Sequence, residues 1–187
     1  FDRLRDGGVL AEGGSAVVLE EYGHALSRGV KPYAEVVGYA DAAEIDLMSP
    51  GRGLERAMSK ALQQAGLSPE TVGHISAHAP SDPFLDRIET AAIKKVFGKR
   101  AYRIPITSIK SMIGNPFAAI GGFQVAAAAL TFIREIIPPT INYEHFDPEC
   151  DLDYTPNHSR LAQVEYILIN AHGFGGGNST LILKRCD

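Results

Sequence analysis

From Pro116 to Ile133 the chain carries no charged residue, and alanine and glycine make up much of the run. A stretch of that length and composition fits either a bilayer or the interior of a layered domain. Gln124 interrupts it, no aromatic belt frames it and no Lys/Arg cluster flanks it, which argues against a membrane span. Small residues let a helix approach sheets closely, so the run is read as a buried central helix over 116–137, stopped by Pro138-Pro139. Just before it, S-I-K-S-M-I-G-N sets Lys110 at an expected strand end. A charge beside a buried helix costs on the order of several kcal/mol unless something pairs with it. Lys110 therefore marks a candidate site.

The rest of the chain supplies the layers around that helix. Residues 7–21 read as two short strands about the turn Glu12-Gly13-Gly14, and Tyr22 to Gly29 as a short helix. Tyr33 to Tyr39 is an expected strand and 40–53 an irregular connection. Apolar residues at Leu54, Ala57, Met58, Ala61, Leu62 and Ala65 follow the helical period and end at Gly66. Val72 to Ala77 is a strand leading to His78, Asp86 to Phe97 a helix, and Ile104 to Ile109 a strand. Tyr143 to Asn157 reads as a polar loop, and Val164 to Asn170 and Ser179 to Lys184 as strands joined by H-G-F-G-G-G-N. Strands alternating with helices imply a parallel sheet, and the closing pair adds an antiparallel edge. Ligands collect at the carboxyl ends of strands in such sheets. His78, Lys110 and the loop from His172 to Gly177 all fall there, which suggests one shared site.

A net charge of −4 disfavours nucleic acid as a partner. The two cysteines, Cys150 and Cys186, show no metal-ligand spacing, so neither a disulfide scaffold nor a metal site is expected, and a reducing cytoplasm fits. The start at Phe1-Asp2-Arg3 has no initiating methionine and no apolar leader, as expected of a piece of a longer protein.

Three blocks carry a resemblance: S-A-H-A-P-S-D-P-F-L-D-R-I-E, S-I-K-S-M-I-G-N and N-A-H-G-F-G-G-G-N. They resemble the active-site blocks of β-ketoacyl-acyl-carrier-protein synthases, condensing enzymes of the thiolase-like fold. F-D-R-L-R-D-G-G-V-L-A-E-G-G, P-P-T-I-N and C-D-L-D-Y-T-P add matches in the same order along the chain. The resemblance covers the later part of a synthase. It implies an α/β thiolase-like layered fold, with 1–28 as closing strands and connection of an N-terminal half and 29–187 as the C-terminal βαβαβ half. It also implies that the nucleophilic cysteine precedes this chain, that neither Cys150 nor Cys186 takes its place, and that the chain alone is inactive.

The activity implied is decarboxylative condensation of acyl and malonyl thioesters in fatty acid or polyketide synthesis. The partners implied are acyl carrier protein, the N-terminal half and a second ketosynthase subunit in a homodimer or heterodimer. No cofactor is implied beyond the phosphopantetheine arm of the carrier. By the resemblance His78 stabilises the enolate, as a neutral imidazole N–H at a developing oxyanion does well. Lys110 pairs with Glu89 beneath it, and Phe174 offers a backbone N–H to the oxyanion hole and a ring that gates the acyl pocket. Lys94, Lys95, Lys99, Arg100 and Arg103 form a basic cluster that could meet an acidic carrier.

Several positions depart from the family. Asn115 stands where the second active-site histidine is usual; an amide donates a hydrogen bond but carries no proton. Ala79, Pro80 and Asp82 replace a glycine and two threonines, with Ser81 between them, in the segment that meets the pantetheine arm. His172 stands where many relatives have Phe. These departures leave open a non-catalytic partner resembling a chain-length factor, or a decarboxylase or acyltransferase on the same fold.

Overall fold

Residues 7–21 form no ladder of strands. The computed structural model describes residues 1–44 and 51–186, and within them this segment has a single bridge, Leu10 to Asn115. Val9, Leu10, Val17, Val18 and Leu19 are exposed, Val18 at 91%. A strand needs a neighbour for its backbone groups. The apolar pattern is present here, but among the described residues a partner strand is not.

Helix α1 (Tyr22–Ser27) is capped by Glu21, whose carboxylate accepts from the N–H groups of Gly23 and His24. Strand β1 (Ala34–Ala43) runs past its expected end at Tyr39, and the connection after it lies outside the described residues from 45 to 50. Helix α2 (Arg52–Ala65) buries Leu54, Ala57, Met58, Ala61 and Leu62, the face that the sequence period marks. It comes so close to β1 that a Cβ on Gly38 would sit 2.5 Å from the Ala61 carbonyl oxygen. Glycine is required there, and the β1 register breaks between Val36 and Gly38.

The chain continues through β2 (Val72–Ser76), α3 (Pro83–Phe97), β3 (Ile106–Thr107), the short α4 (Lys110–Ile113), α5 (Ile120–Arg134) and β4 (Ile136–Ile137). It closes with β5 (Arg160–Leu161), β6 (Tyr166–His172) and β7 (Gly177–Arg185). The main sheet has the order β1-β7-β6-β2-β3, with β4 and β5 paired separately. Strand β2 is parallel to both β3 and β6, while β7 is antiparallel to β6 and β1. The expected mixed sheet is therefore present, with β6 at its centre carrying the buried run Ile167, Leu168, Ile169 and Asn170.

Helix α5 is not buried on all sides. A 3-10 turn at Phe117–Ala119 precedes it, and five of its 15 residues are buried: Ile120, Gln124, Ala128, Thr131 and Phe132. Leu130 and Ile133 are 54% and 51% exposed. The segment Phe117–Arg134, uncharged up to its last residue, has the length and mean hydropathy (1.5) of a span, yet one face packs on the sheet and carries a buried amide. Its smallness and apolarity suit contact on two sides, but within the described chain only one side is covered.

The segment 143–157 is irregular, as expected, but not a surface loop. Cys150, Leu152, Tyr154 and Thr155 are buried. Thr90 Oγ1 donates to the Asp86 carbonyl (2.7 Å), so it is the Tyr154 hydroxyl that donates to Thr90 Oγ1 (2.7 Å), which ties the loop to α3.

His74 on β2 is a core histidine. Thr107 Oγ1 spends its proton on the Pro138 carbonyl (2.8 Å), so His74 Nε2–H donates to it (3.2 Å) and Nδ1 is left bare and buried. Burial pushes its pKa from 6.5 down to about 3. The unfolded chain takes a proton that the folded chain refuses, so this stability is complete above pH 6.5 and is lost as pH falls toward 3. Between pH 7 and 5 the loss is about 2 kcal/mol from His74. Burial raises the pKa of Glu89 and Asp86, which oppose the trend. Urea denaturation of wild type and His74→Gln at both pH values isolates the histidine: the variant should lose about 2 kcal/mol less on acidification.

Candidate active site

Two adjoining cavities open at the carboxyl ends of β2, β3 and β6. The larger, about 700 Å³, is bordered by His78, Asn115, Phe117, His172 and Phe174. The smaller, about 490 Å³, takes in Lys110, Ser81, Ser108, Thr140 and the segment around Arg5. Pro80 and Asn115 border both. The sheet order accounts for this: β2 and β6 are neighbours, so the residues following Ser76 and ending at His172 emerge side by side. The His78 and His172 rings stand 5.9 Å apart, tilted by 58°.

The strand end that carries His78 is held from below. Glu89 is 3% exposed, and its Oε1 accepts from the His78 N–H (3.0 Å) and Asn170 Nδ2 (3.1 Å), its Oε2 from the Ala79 N–H (2.8 Å). Lys110 Nζ donates to the His78 carbonyl at 2.5 Å. The expected Lys110–Glu89 ion pair is thus not a direct contact: both grip the same turn from different sides, and no salt bridge joins them among the described residues. The turn between them keeps the charges apart while the carboxylate still favours the ammonium through space. Burial is the larger influence and lowers the Lys110 pKa to about 8.

His78 itself is held neutral. Burial, then the Lys110 charge, then His172 bring its pKa down to about 3. Its Nδ1 is buried with no partner, which leaves the opposite ring edge for the larger cavity. Asn115 is seated by residues 9–11, with its N–H on the Val9 carbonyl (2.8 Å) and its carbonyl accepting from the Ala11 N–H (3.2 Å). Its Oδ1 accepts from the Phe117 N–H (3.2 Å), so Nδ2 is the end that can donate. Phe174 is 93% exposed, its ring 5.7 Å from that of Phe117, and its N–H meets no acceptor among the described residues. A neutral imidazole, an amide and a free N–H around one cavity can bind a carbonyl oxygen and stabilise charge growing on it.

Asp82 has a structural role that the sequence reading did not name. Its Oδ1 accepts from the N–H groups of Phe84 (2.9 Å) and Leu85 (2.8 Å), capping α3 with Pro83 in the first turn, and it borders neither cavity. The dipeptide Asp-Pro before an apolar period was a legible cap signal. Ala79 and Ser81, on either side of Pro80, hold positive φ values of 23° and 69°, so this turn stores strain beside the cavities. Sequence reasoning gave Gln124 no role, yet its Nε2 reaches the carbonyls of Ser76 (3.3 Å), Ala77 (3.1 Å) and Asn170 (3.3 Å) and Ser76 Oγ (3.1 Å). It stitches the ends of β2 and β6 together. Its signal was being polar in an otherwise apolar run.

Neither cysteine borders the two cavities. Cys150 is fully buried, and burial pushes its thiol pKa up, away from nucleophilic character. No cluster of three or more His, Cys, Asp or Glu that could hold a metal occurs among the described residues. In the basic cluster, Lys94 pairs with Asp151, Lys95 with Glu55 (3.2 Å), and Arg100 donates to the Val72 carbonyl (3.0 Å). Lys99 and Arg103 are exposed.

The family pattern described as beta-ketoacyl synthase, C-terminal domain, matches residues 33–144. The 3-oxoacyl-[acyl-carrier-protein] synthase 2 of Synechocystis sp. (strain ATCC 27184 / PCC 6803 / Kazusa) is 47% identical over 99% of this chain and 45% of its own length. The tetracenomycin polyketide synthase ketoacyl synthase alpha subunit of Streptomyces glaucescens is 46% identical over 99% and 44%. The chain spans about half the length of the curated relatives it matches. Among solved structures, the AntDE:AntF complex superposes with a TM-score of 0.96 at 40% identity, over all of this chain and 47% of that one. It is described as a type II PKS acyl-carrier protein in complex with its ketosynthase bound to the hexaketide. The ishigamide ketosynthase/chain length factor follows with a TM-score of 0.94 at 34% identity, over 98% and 46%.

Proposed function

The chain belongs to the β-ketoacyl synthase family, and from that premise we propose that it is the C-terminal part of an enzyme condensing acyl and malonyl thioesters with loss of carbon dioxide. The observation that carries this reading is the buried, neutral His78 beside Asn115, His172 and the unpaired Phe174 N–H. The acyl group would rest on a thiol supplied by a part of the protein outside this chain, because Cys150 is buried and Cys186 lies on another surface pocket. The malonyl thioester carbonyl would accept from the His78 ring. As the carboxylate leaves, its bonding pair passes to the α-carbon and oxygen, and the enolate charge grows against that donor. The enolate carbon then attacks the acyl thioester, whose oxyanion the Phe174 N–H would hold until it collapses to the ketone. The collapse breaks the carbon–sulfur bond and frees the thiolate that carried the acyl group. Lys110 and Glu89 act one step back, by fixing the turn that aims His78.

Substrates would arrive on the phosphopantetheine arm of an acyl carrier protein, with Lys99 and Arg103 the exposed cations available to an acidic carrier in a cytoplasmic setting. The exposed flank of α5 and residues 7–21 suit burial against the N-terminal half and a second subunit, alike or different. A second reading, a non-catalytic partner of an active ketosynthase, is favoured by the departures at Asn115, Pro80 and Asp82, the first two of which border both cavities. The test is the full-length protein given acyl- and malonyl-carrier protein, followed by carbon dioxide release and mass spectrometry of the product. A β-ketoacyl thioester with stoichiometric carbon dioxide is expected. Neither product, under conditions where the protein is folded, overturns the reading in favour of the non-catalytic partner.

A further inference from the structure

His172 is half-buried at the end of β6, and one atom decides what it can do. Asn178, 2% exposed, has acceptors on all sides of its Nδ2: Glu44 Oε1 (3.1 Å), the Gly176 carbonyl (3.1 Å) and the Ala42 carbonyl (3.4 Å). That surrounding fixes which end of the amide is which. Its Oδ1 must be the atom 2.7 Å from His172 Nδ1, so Nδ1 carries the proton and donates. Nε2 is then a lone pair with no hydrogen bond among the described residues, on a ring that borders the larger cavity opposite His78.

The brace is built with care. Glu44 Oε1 also accepts from the N–H groups of Gly51 (3.1 Å) and Gly53 (3.0 Å), which anchors the carboxylate behind Asn178. A Cβ on Gly53 would sit 2.3 Å from Asn178 Nδ2 and 2.7 Å from Glu44 Oε1, so glycine there leaves room for the pair. A carboxylate holding an amide that holds an imidazole is the arrangement by which a proton-accepting histidine is kept in one tautomer. Asn115 cannot carry a proton, whereas His172, across the same cavity, can.

Resting on the condensing-enzyme reading above, we infer that His172 is the proton shuttle for loading, with Asn178 and Glu44 as its positioning residues. A thiol attacks the acyl thioester carbonyl, its sulfur bonds to carbon, and its proton passes to His172 Nε2. The tetrahedral intermediate collapses, the carbon–sulfur bond to the carrier breaks, and the same proton moves from Nε2 to the departing sulfur. One thioester and one thiol enter, one of each leaves, and the imidazole ends as it began. The charged and titratable groups that bear on the ring are His78 after β2, Lys110 from α4 beyond it, and Glu44 after β1 behind Asn178.

The test uses the full-length protein and an acyl-pantetheine thioester. Long-range 1H–15N spectra, with His172 assigned by its loss in His172→Ala, should show the Nδ1–H tautomer, and Asn178→Ala should mix the two tautomers. Single-turnover acylation should slow about 100-fold in His172→Ala and His172→Gln, and added imidazole should restore part of the rate in His172→Ala. Loading by His172→Gln within threefold of wild type, or an Nε2–H tautomer in the wild type, overturns the inference while leaving the condensing reading intact. Wild type that takes up no acyl group sinks that reading and the shuttle with it.

Discussion

Replacing Glu89 by alanine in the full-length protein is expected to cost about 3–5 kcal/mol of stability, the largest effect of any single side chain in the site. Three buried donors lose their acceptor at once: the N–H groups of His78 and Ala79 and the amide of Asn170. Each orphaned donor costs about 1–3 kcal/mol. The sum is tempered because Glu89 is itself penalised by burial, which raises its pKa, so removing it returns part of that penalty. Glu89→Gln keeps one acceptor and turns an NH2 toward the remaining donor, and about half the loss should remain. Urea midpoints measure this. Glu89→Ala within about 1 kcal/mol of wild type would mean that other acceptors reach those donors and that the carboxylate does not hold the turn.

How far the sequence foretold this arrangement depended on whether an interaction is local. Helix α2 was legible because Leu54, Met58, Ala61 and Leu62 repeat at the helical period and Gly66 ends it. His78, Lys110 and His172 were legible as strand-end residues, since the layered sheet brings carboxyl ends of neighbouring strands together. The brace of Glu44 on Asn178 was not: it joins residues 134 apart, and no spacing rule reaches that far. The cap that Asp82 makes on α3 was legible too, because Asp followed by Pro before a helical period is local, but it was not drawn from the sequence.

The strands expected in residues 7–21 and the full burial expected of α5 failed for one shared reason. Apolar pattern records that a surface is to be covered, but not by what. Val17, Val18 and Leu19 form a short β-branched and apolar run like a strand, and Leu130 and Ile133 extend the apolar character of α5 beyond its buried face. Among the described residues nothing covers these surfaces, so 7–21 forms no strand ladder and α5 is a helix buried on one face only.

His78→Ala should lower malonyl decarboxylation by the full-length protein about 100- to 1,000-fold, the usual effect of removing one preorganised donor from an oxyanion site. The effect depends on the ring being neutral and aimed before substrate arrives. Burial, reinforced by Lys110 and His172, keeps it neutral down to about pH 3, so protonation of His78 should leave no acid limb in the profile between pH 5 and 8. Lys110 should mark the alkaline side. Its ammonium is lost as pH rises through about 8, the bond to the His78 carbonyl weakens, and activity falls in that range. His78→Asn retains an N–H donor at shorter reach and should lose less than alanine. Carbon dioxide release, measured from malonyl-carrier protein across pH 5–9, reads the wild type and both variants. Decarboxylation that survives His78→Ala within threefold would move the oxyanion donor to Asn115 or to the Phe174 N–H, the other donors facing the same space.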